Sequence, residues 1–397
     1  MQRLSVAVET PQHAAIGALL DYECEQQLPP GTLVRVPLGK REVPGIVWDP
    51  AIAGTPPPTQ ALRSVIEALE GLPPLAAHWR TLIDFAAGYY QRHVGELGLS
   101  VLPPELRRSD DRQLGRRLTR LLREPAAGAG DARATDVPLL SADQAAALAA
   151  LQAMGAGTAL LHGVTGSGKT EVYLRAAEAA LAAGRQVLVL VPEINLTPQL
   201  EARFAARFPG RTLVSLHSAL TPAQRLNHWL LAHLGRADLV LGTRLAVFAS
   251  MPRLGLIVVD EEHDPSFKQQ EGARYSARDL AVYRGHLEKL PVILGSATPS
   301  LETWQRALDG RYRRLTLAAR IGHGAMPRVR LLDTANLPRT RGVLPALAAP
   351  LLAAVQERLA RGEQSLLLLN RRGYAPVLHC HHCQWKSGCP HCSAWRV

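Results

Sequence analysis

The sequence feature that most constrains the fold of this chain is a glycine-rich segment between a predicted strand and a predicted helix. Residues 163–170 read GVTGSGKT, after the apolar run 159–162 and before a helical pattern that ends at Gly184. Glycines let backbone N–H groups turn toward phosphates, and the N-terminus of the following helix favours anions. The lysine can reach the β- and γ-phosphates, and the threonine hydroxyl can bind Mg²⁺. We therefore predict that a nucleoside triphosphate and Mg²⁺ bind to Gly163, Val164, Thr165, Gly166, Ser167, Gly168, Lys169 and Thr170.

Short apolar runs alternate with helical patterns from about residue 139 onward. The runs cover residues 159–162, 187–191, 213–216, 239–241, 256–260 and 292–295. Strands separated by helices at this spacing imply crossover connections, which build a parallel sheet buried on both faces. The predicted fold class is therefore α/β, with the glycine-rich segment directly after the first of these strands.

Residues 256–263 read LIVVDEEH, a predicted buried strand that ends in three acids and a histidine. Three carboxylates at the carboxyl end of a strand repel one another, so we expect a cation there. Asp260 is predicted to hold the Mg²⁺ shell, and Glu261 to orient or deprotonate an attacking water. An acidic strand cap at a turn is the alternative interpretation, and the glycine-rich segment upstream argues against it.

The N-terminal 100 or so residues look β-rich at first. Residues 31–48 predict two strands joined by a turn at Gly39-Lys40, and Pro37 and Pro44 would confine these strands to edges or bulges. A small sheet or barrel fits this pattern. Between residues 72 and 102 the pattern becomes helical, and it contains an aromatic cluster that we assign to core packing rather than to base stacking: Trp79, Phe85, Tyr89 and Tyr90.

Charge and hydropathy narrow the classes of partner. The chain of 397 residues has 45 basic and 34 acidic residues, and its net charge of +11 favours a polyanionic partner, most simply nucleic acid. A solvated basic face is the alternative. The apolar runs are too short to cross a bilayer and the N-terminus lacks a leader pattern, so we expect a cytoplasmic protein without a membrane partner. Residues 101–137 are basic and then rich in alanine and glycine, and are predicted to be a linker.

Four of the five cysteines lie close together at Cys380, Cys383, Cys389 and Cys392. A disulfide framework would spread cysteines more widely, so two zinc-binding knuckles in a reducing compartment are favoured. One zinc on all four thiolates is possible, but five residues between the knuckles are few beside the roughly 15–20 of an ordinary zinc ribbon. The fifth cysteine, Cys24, is predicted to be a buried thiol.

The motifs of the central region resemble, in order, those of superfamily-two DNA helicases. They are GSGKT, the segment VPEINLTPQL (191–200), GTRLAVF (242–248), the D-E-x-H box and GSATPS (295–300). The run 260–284 and LLLLNRRGYAP (366–376) are similar to one branch, the primosomal replication-restart helicases of bacteria. The resemblance covers almost all of residues 139–392. It implies a RecA-like ATP-binding lobe over 138–318, the start of a second lobe over 319–397, and ATP as the nucleotide.

The resemblance also assigns roles to residues outside the nucleotide site. Ser296 and Thr298 would couple hydrolysis to the DNA track, and His263 would make the same link. Family members place polar groups of two motifs on the phosphates of one DNA strand, which here implies Thr197, Thr243 and Arg244.

A loop after the acidic box resembles the aromatic-rich loop with which the family senses single-stranded DNA. Here Phe267 and Tyr275 would stack bases and Lys268 and Arg274 would hold phosphates, although Ala273 stands where an aromatic residue is expected. Ordinary loop packing is the alternative for the two rings.

Gln144 has two interpretations. Related helicases carry a glutamine at a similar distance before the lysine, and that glutamine reads adenine. The sequence Ser141-Ala-Asp-Gln144 also spells a capping box, in which the glutamine caps a helix.

The resemblance extends more weakly to the N-terminal region and fails in three places. Residues 1–100 correspond to the family's 3′-end DNA-binding domain. The winged helix of the family would be missing or vestigial in the linker. The arginine motifs of the second lobe would lie beyond Val397, as would the cysteines that complete two zinc sites. Incomplete zinc half-sites are preferred, with a shared strained site or help from His382 or His391 as alternatives.

The implied function is an ATP-dependent DNA helicase that recognises stalled or abandoned forks and initiates primosome assembly at the nucleoid. Its implied partners are single-stranded and forked DNA, other primosome proteins, single-stranded DNA-binding protein and the replicative helicase loader. Because an arginine finger contributes a factor of about 10³–10⁵ to the rate of hydrolysis, weak ATP turnover is expected of this chain alone. A catalytically impaired scaffold that binds fork DNA is the alternative, and a metabolic P-loop kinase is a more remote one.

Overall fold

The computed structural model describes residues 2–10, 19–49, 61–123, 138–192, 198–321, 328–333, 348–368, 385, 387–388 and 390. The chain divides into two compact units, Met1–Gly324 and Ala325–Val397. The first unit contains two sheets and the helices that pack on them.

The first sheet has six strands in the order β5-β2-β1-β4-β3-β6. The strands are β1 Gln2–Val8, β2 Leu19–Cys24, β3 Leu33–Leu38, β4 Arg41–Val47, β5 Arg63–Ser64 and β6 Glu67–Ala68. The predicted hairpin is present as β3 and β4, and Gly39 has φ +62° in its turn. The prediction that its prolines confine the hairpin to a sheet edge is wrong, because both strands have neighbours on two sides. Pro37 and Pro44 nevertheless lie where β6 and β1 have stopped pairing, so each stands on a part of its strand with one neighbour.

Four helices follow the first sheet: α1 Ala77–Tyr89, α2 Val94–Ser100, α3 Pro104–Arg108 and α4 Asp111–Arg123. The last two lie in the predicted linker. In α4, Leu114 and Leu118 are one turn apart and buried, while the arginines occupy the other faces. Asp111 also ties α4 to the sheet region, because its carboxylate accepts from Gly71 N at 3.1 Å. The prediction of a linker is therefore wrong for residues 104–123, which form packed helices. The many arginines made this segment look solvated, although its leucines have the spacing of an amphipathic helix.

The second sheet has seven parallel strands in the order β13-β7-β12-β11-β8-β10-β9. The strands are β7 Gly157–Gly163, β8 Gln186–Leu190, β9 Leu213–Leu216, β10 Leu239–Gly242, β11 Leu254–Asp260, β12 Pro291–Ser296 and β13 Arg313–Leu317. The predicted α/β class and its six apolar strands are confirmed. β13 was missed because it is an edge strand in which Arg313, Arg314 and Thr316 are exposed, so it contains no apolar run.

Helices cover both faces of this sheet. They are α5 Ala142–Met154, α6 Lys169–Ala182, α7 Pro198–Arg207, α8 Pro222–His233, α9 Ala277–Glu288 and α10 Leu301–Leu308. Along β8, Leu188 and Leu190 belong to one buried cluster and Val187 and Val189 to another, as expected of a strand covered on both sides.

One of these clusters continues into the N-terminal helices, so the two sheets share a core. Trp79 of α1 is buried, and its indole nitrogen donates to Phe248 O at 2.7 Å. The ring of Phe85 stacks on Tyr283 of α9 with 3.5 Å between centroids. Core packing is thus confirmed for Trp79, whereas it is wrong for Tyr89, which is 69% exposed.

The second unit contains helix α11, Ala349–Ala360. The apolar residues 366–368, which begin the motif LLLLNRRGYAP, do not form a strand, and Leu366 and Leu368 are 97% and 90% exposed. A strand requires a neighbour to pair with, and residues 366–368 pair with none of the described residues. In the parts of the chain that the structure describes, no helix has the length and hydropathy to span a membrane.

Candidate nucleotide and DNA site

The glycine-rich segment connects β7 to α6, and its backbone curls around Lys169. β7 ends at Gly163 and α6 begins at Lys169, whose Nζ donates to Gly163 O at 3.0 Å. Gly166 and Gly168 have φ values of +82° and +80°, which favour glycine. At Gly163 a Cβ atom would overlap the Ser167 side chain. Val164 and Thr165 lie within the loop, and Thr170 is the second residue of α6.

Two observations show that these residues fit a bound phosphate. Lys169 is buried, and it makes no salt bridge with any carboxylate in the described ranges. The hydroxyl of Ser167 is buried as well, and no described residue is its hydrogen-bond partner. A buried cation without a paired anion is costly, as is a buried hydroxyl without a hydrogen-bond partner, and a triphosphate would supply both.

A tyrosine of α6, which the sequence analysis did not single out, connects the helix after this loop to the acidic residues at the end of β11. Asp260 Oδ1 accepts from Tyr173 Oη at 2.9 Å and from Glu261 N at 3.1 Å. Burial raises the pKa of Asp260, although the Tyr173 hydrogen bond and the charge of Lys169 oppose this rise. Burial and Asp260 together raise the pKa of Tyr173 well above its ordinary value. Two signals were present: Tyr173 lies one helical turn after Lys169, and Gly295 leaves the space that its hydroxyl needs.

The expectation that three carboxylates converge on one cation is wrong for the third acid. The Glu262 side chain is buried and turned toward α10, where it accepts from Ser300 N at 2.7 Å and Thr303 Oγ1 at 2.8 Å. It also pairs with Arg278 Nη1 at 3.3 Å. Glu262 therefore fixes the start of α10, and Asp260 and Glu261 remain as the acids beside Lys169. Burial and Asp260 raise the pKa of Glu261, whose φ of +48° is unusual for a residue with a side chain.

The residues predicted to couple hydrolysis to DNA lie together. His263 Nδ1 is 2.8 Å from Ser296 Oγ, and Nε2 is 3.4 Å from Thr298 Oγ1. The carboxylate of Glu261 lies 3.7 Å from His263 Nδ1. A chain of polar contacts thus runs from Glu261 at the end of β11 to the segment after β12, while the coupling role itself stays a prediction.

Gln144 caps a helix, as one of its two interpretations predicts, and it also contacts the glycine-rich loop. The capping box is present, with Ser141 N donating to Gln144 Oε1 at 2.8 Å. The amide nitrogen of Gln144 also donates to Gly168 O at 3.1 Å, so the side chain touches the glycine-rich loop. Adenine reading stays a prediction. The sequence reasoning did not find that Arg320 Nε donates to Thr165 O at 2.8 Å, which places the segment after β13 against the same loop.

The described residues that were predicted to bind DNA phosphates lie in two places, directly after β10 and in the loop that follows the acidic residues at the end of β11. Thr243 follows β10, and Arg244 Nη1 donates to Ser266 O at 3.2 Å. Lys268 and Arg274 are exposed, and their role in binding phosphates stays a prediction. Thr197 lies outside the described residues.

The prediction that Phe267 and Tyr275 form a stacking platform fails in this conformation. Their rings are 2% and 5% exposed, so neither presents a face to a base. The reason is packing, because Tyr275 meets Phe248 edge to face with 5.0 Å between centroids.

The predicted zinc ligands Cys380, Cys383, Cys389 and Cys392 lie outside the described residues, together with His382 and His391. Among the residues that the structure does describe, no group of three or more histidine, cysteine or acidic side chains could hold a metal ion. Cys24 is a free, partly buried thiol. The zinc site stays a prediction.

Two families match consecutive parts of the chain. Residues 5–103 match the family described as 3′DNA-binding domain (3′BD), and residues 141–307 match the DEAD/DEAH box helicase family. The replication restart protein PriA of Haemophilus influenzae is 49% identical over 233 residues, which make up 59% of this chain and 31% of that protein. The PriA protein of Rickettsia felis is 34% identical over 369 residues, which make up 92% of this chain and 54% of that protein.

The chain therefore spans between about a third and about half of the length of these relatives. Among solved structures, RecG bound to a three-way DNA junction is 19% identical with a TM-score of 0.37. That likeness covers 62% of this chain and 30% of the RecG chain.

Proposed function

Because the chain belongs to the family of replication restart protein PriA, we propose that it carries the ATP-binding lobe and the 3′-end DNA-binding domain of a replication restart helicase. The observation that carries the proposal is the joint arrangement of Lys169, Asp260 and the His263 contacts at one edge of the parallel sheet. Each group there has a task in ATP-driven movement along DNA. The proposed domains are residues 1–100, 138–318 and 319–397, with α3 and α4 joined to the first.

In the proposed nucleotide site, Lys169 binds the β- and γ-phosphates, and the glycine-rich loop supplies backbone N–H groups. Thr170 and Asp260 hold Mg²⁺, which when bound neutralises phosphate charge. Glu261 orients the attacking water and accepts its proton on a carboxylate oxygen. Its raised pKa suits this role, because a carboxylate that is costly to keep charged accepts a proton readily.

The proposed DNA track lies at the carboxyl ends of β9 and β10. Thr243, Arg244, Lys268 and Arg274, together with Thr197, bind phosphates of a single strand. His263, Ser296 and Thr298 relay the state of the nucleotide to this track. Fork DNA, other primosome proteins, single-stranded DNA-binding protein and the helicase loader are proposed partners at the nucleoid, and zinc on the C-terminal cysteines is a proposed cofactor.

The test is nucleotide binding followed by turnover on the full chain. Titration with a fluorescent ATP analogue and Mg²⁺ should give saturable binding that Lys169→Ala weakens about tenfold or more, because a hydrogen bond to a charged group contributes about 1.5–3 kcal/mol. Lys40→Ala, in the hairpin turn of the first sheet, is the matched control and should bind like the wild type. ATPase activity is then compared with and without single-stranded DNA. Equal nucleotide affinity in all three proteins would refute the proposal.

A further inference from the structure

A cavity of about 440 Å³ lies where the N-terminal helices meet the second sheet. One wall comes from the region of α2 and α3, including Leu102 and Pro103. A second wall comes from the residues after β9 and β10, including Thr243 and Arg244, and from Trp229 of α8. The third wall is part of the sensing loop, which we define as residues 268–276.

We propose that this cavity receives a single nucleobase from the DNA strand whose phosphates lie on Thr243 and Arg244. The proposal rests on the function proposed above and adds a base-binding site to its DNA track. It does not require the rings predicted from the sequence to stack bases, Phe267 and Tyr275, to leave the core.

The size and position of the cavity support a ligand site. Its volume is within the range of about 300–1,000 Å³ that ligand pockets occupy. It opens beside Leu216 and Thr243, which stand at the carboxyl ends of two neighbouring parallel strands. Open α/β sheets bind ligands at this end of their strands. The exposed surface of the walls is mainly apolar, and polar side chains such as Arg225, Thr243 and Gln269 also line it, so an inserted base would find both kinds of contact.

The charges around the cavity fit a ligand with a planar apolar part and an anionic backbone. Arg225 and Arg244 line it, and Glu271 is the acidic side chain in the lining. Arg225 is held in place by its bond to Ser218 O at 3.1 Å. The exposed cations Lys268 and Arg274 lie next in sequence to lining residues of the sensing loop. A DNA strand has both the planar apolar base and the anionic backbone that such a site requires. An acidic peptide segment offers only the negative charge, and a neutral one only the apolar part.

Base insertion would let the sensing loop contact DNA although the rings of Phe267 and Tyr275 are buried. A base in the cavity would touch Gln269 and Tyr275 directly. The loop begins five residues after His263, so its position is linked by a short segment to the contacts with Ser296. Occupancy of the cavity would therefore reach the nucleotide site without any aromatic side chain leaving the core.

The test compares a strand of 12 thymidines with an abasic strand of the same length, on the full chain. Wild type should bind the thymidine strand about five- to a hundredfold more tightly, since base stacking contributes about 1–3 kcal/mol per base. Filling the cavity with Ser100→Leu and Ala273→Leu should remove most of this preference. The matched control, Thr119→Leu with Ala182→Leu, adds the same side chains at exposed positions outside the cavity and should keep it.

A second measurement does not depend on the folding of a variant. Wild type is irradiated with a thymidine strand that carries 5-iododeoxyuridine, and the cross-linked peptides are identified by mass spectrometry. Cross-links to the peptides that contain Trp229 or Tyr275 support the proposal, and cross-links confined to other regions overturn it. Equal affinity for both strands overturns it while DNA binding stands. A chain that binds neither strand refutes the proposed function, and with it the base site.

Discussion

At the scale of single residues, the nucleotide site depends on a tyrosine that no helicase motif in this sequence includes. Tyr173 reaches from α6 to Asp260, and it fits only because position 295 is glycine. Its hydroxyl is the largest influence that lowers the pKa of Asp260 against the effect of burial. Without it, Asp260 would be protonated at a higher pH and would be a poorer ligand for Mg²⁺.

Tyr173→Phe should therefore make nucleotide binding more sensitive to acid. The pKa of Asp260 rises further when the hydrogen bond is lost, so binding should fail at a higher pH as the pH is lowered. Titrations of a fluorescent ATP analogue with Mg²⁺ between pH 8 and pH 5.5 measure this, and we expect up to about a tenfold loss near the acidic end. Tyr312→Phe, another buried tyrosine, is the control. The same acid sensitivity in both variants would contradict the prediction.

Two adjacent glutamates should respond in opposite ways to the same substitution. Glu262→Gln places an amide where a buried carboxylate accepts from Ser300, Thr303 and Arg278. Breaking a buried ion pair costs about 3–5 kcal/mol, so the melting temperature should fall clearly. Glu261→Gln removes a carboxylate whose charge is already disfavoured, so the melting temperature should hold or rise while ATP turnover is lost.

Thermal unfolding of both variants, followed by ATPase assays, separates the two roles. Each glutamate variant is the control for the other. A larger loss of stability in Glu261→Gln than in Glu262→Gln would show that the buried network assigned to Glu262 is wrong.

At the scale of elements, the sequence predicted the strands whose residues are all buried, and it did not predict the elements that carry exposed arginines. β8 is buried throughout, and its four residues after Gln186 are apolar, so its pattern is unambiguous. β13 and α4 each combine buried leucines with exposed arginines, and an apolar run is absent from both. The sequence predicted that the sensing loop presents Tyr275 to a base, but this ring is buried against Phe248, which is distant in sequence. Contacts of that kind leave no periodic signal.

The sensing loop is held by the end of α1, and this contact makes a testable prediction. Tyr90 Oη accepts from Ser276 N at 3.0 Å, and Arg92 Nη2 donates to Gly272 O at 2.7 Å. Tyr90→Phe removes one of these bonds and leaves a backbone N–H without its acceptor. Limited digestion with trypsin should then cut after Lys268 or Arg274 a few times faster. Tyr89→Phe changes an exposed neighbour and should leave the rate unchanged. Equal rates in the two variants would show that the Tyr90 hydrogen bond does not hold the sensing loop.

At the scale of the whole molecule, the N-terminal region packs against the ATP-binding lobe along an interface that the sequence did not predict. We call this interface the seam, and it includes the contacts of Trp79 with Phe248 and of Phe85 with Tyr283. The indole of Trp79 bonds to Phe248 O across 169 residues of sequence separation. Local patterns identified both partners as apolar, but they carried no information about which surfaces meet. The seam matters for function because one wall of the proposed base site and the contacts of Tyr90 both come from the N-terminal side.

The seam also contains two histidines that should make the molecule sensitive to acid. His233 Nε2 lies 2.9 Å from Pro73 O, and its Nδ1 lies 2.9 Å from Ser250 Oγ. Burial lowers the pKa of His233, and burial also lowers that of His78, although Glu288 opposes the change at His78. Below about pH 6.5 the unfolded chain takes up protons that the folded chain does not, so stability is lost as the pH falls through this range.

We therefore expect the melting temperature of the full chain to fall by a few degrees between pH 7.5 and pH 5.5. His233→Gln should be less stable at pH 7.5, because one amide cannot replace both ring contacts, but its melting temperature should fall less steeply with pH. His286→Gln, at an exposed position of α9, should keep the slope of the wild type. If His233→Gln keeps that slope as well, protonation of His233 at the seam is not what limits stability in acid. A flatter slope in His233→Gln alone would identify His233 as a group whose protonation destabilises the fold in acid.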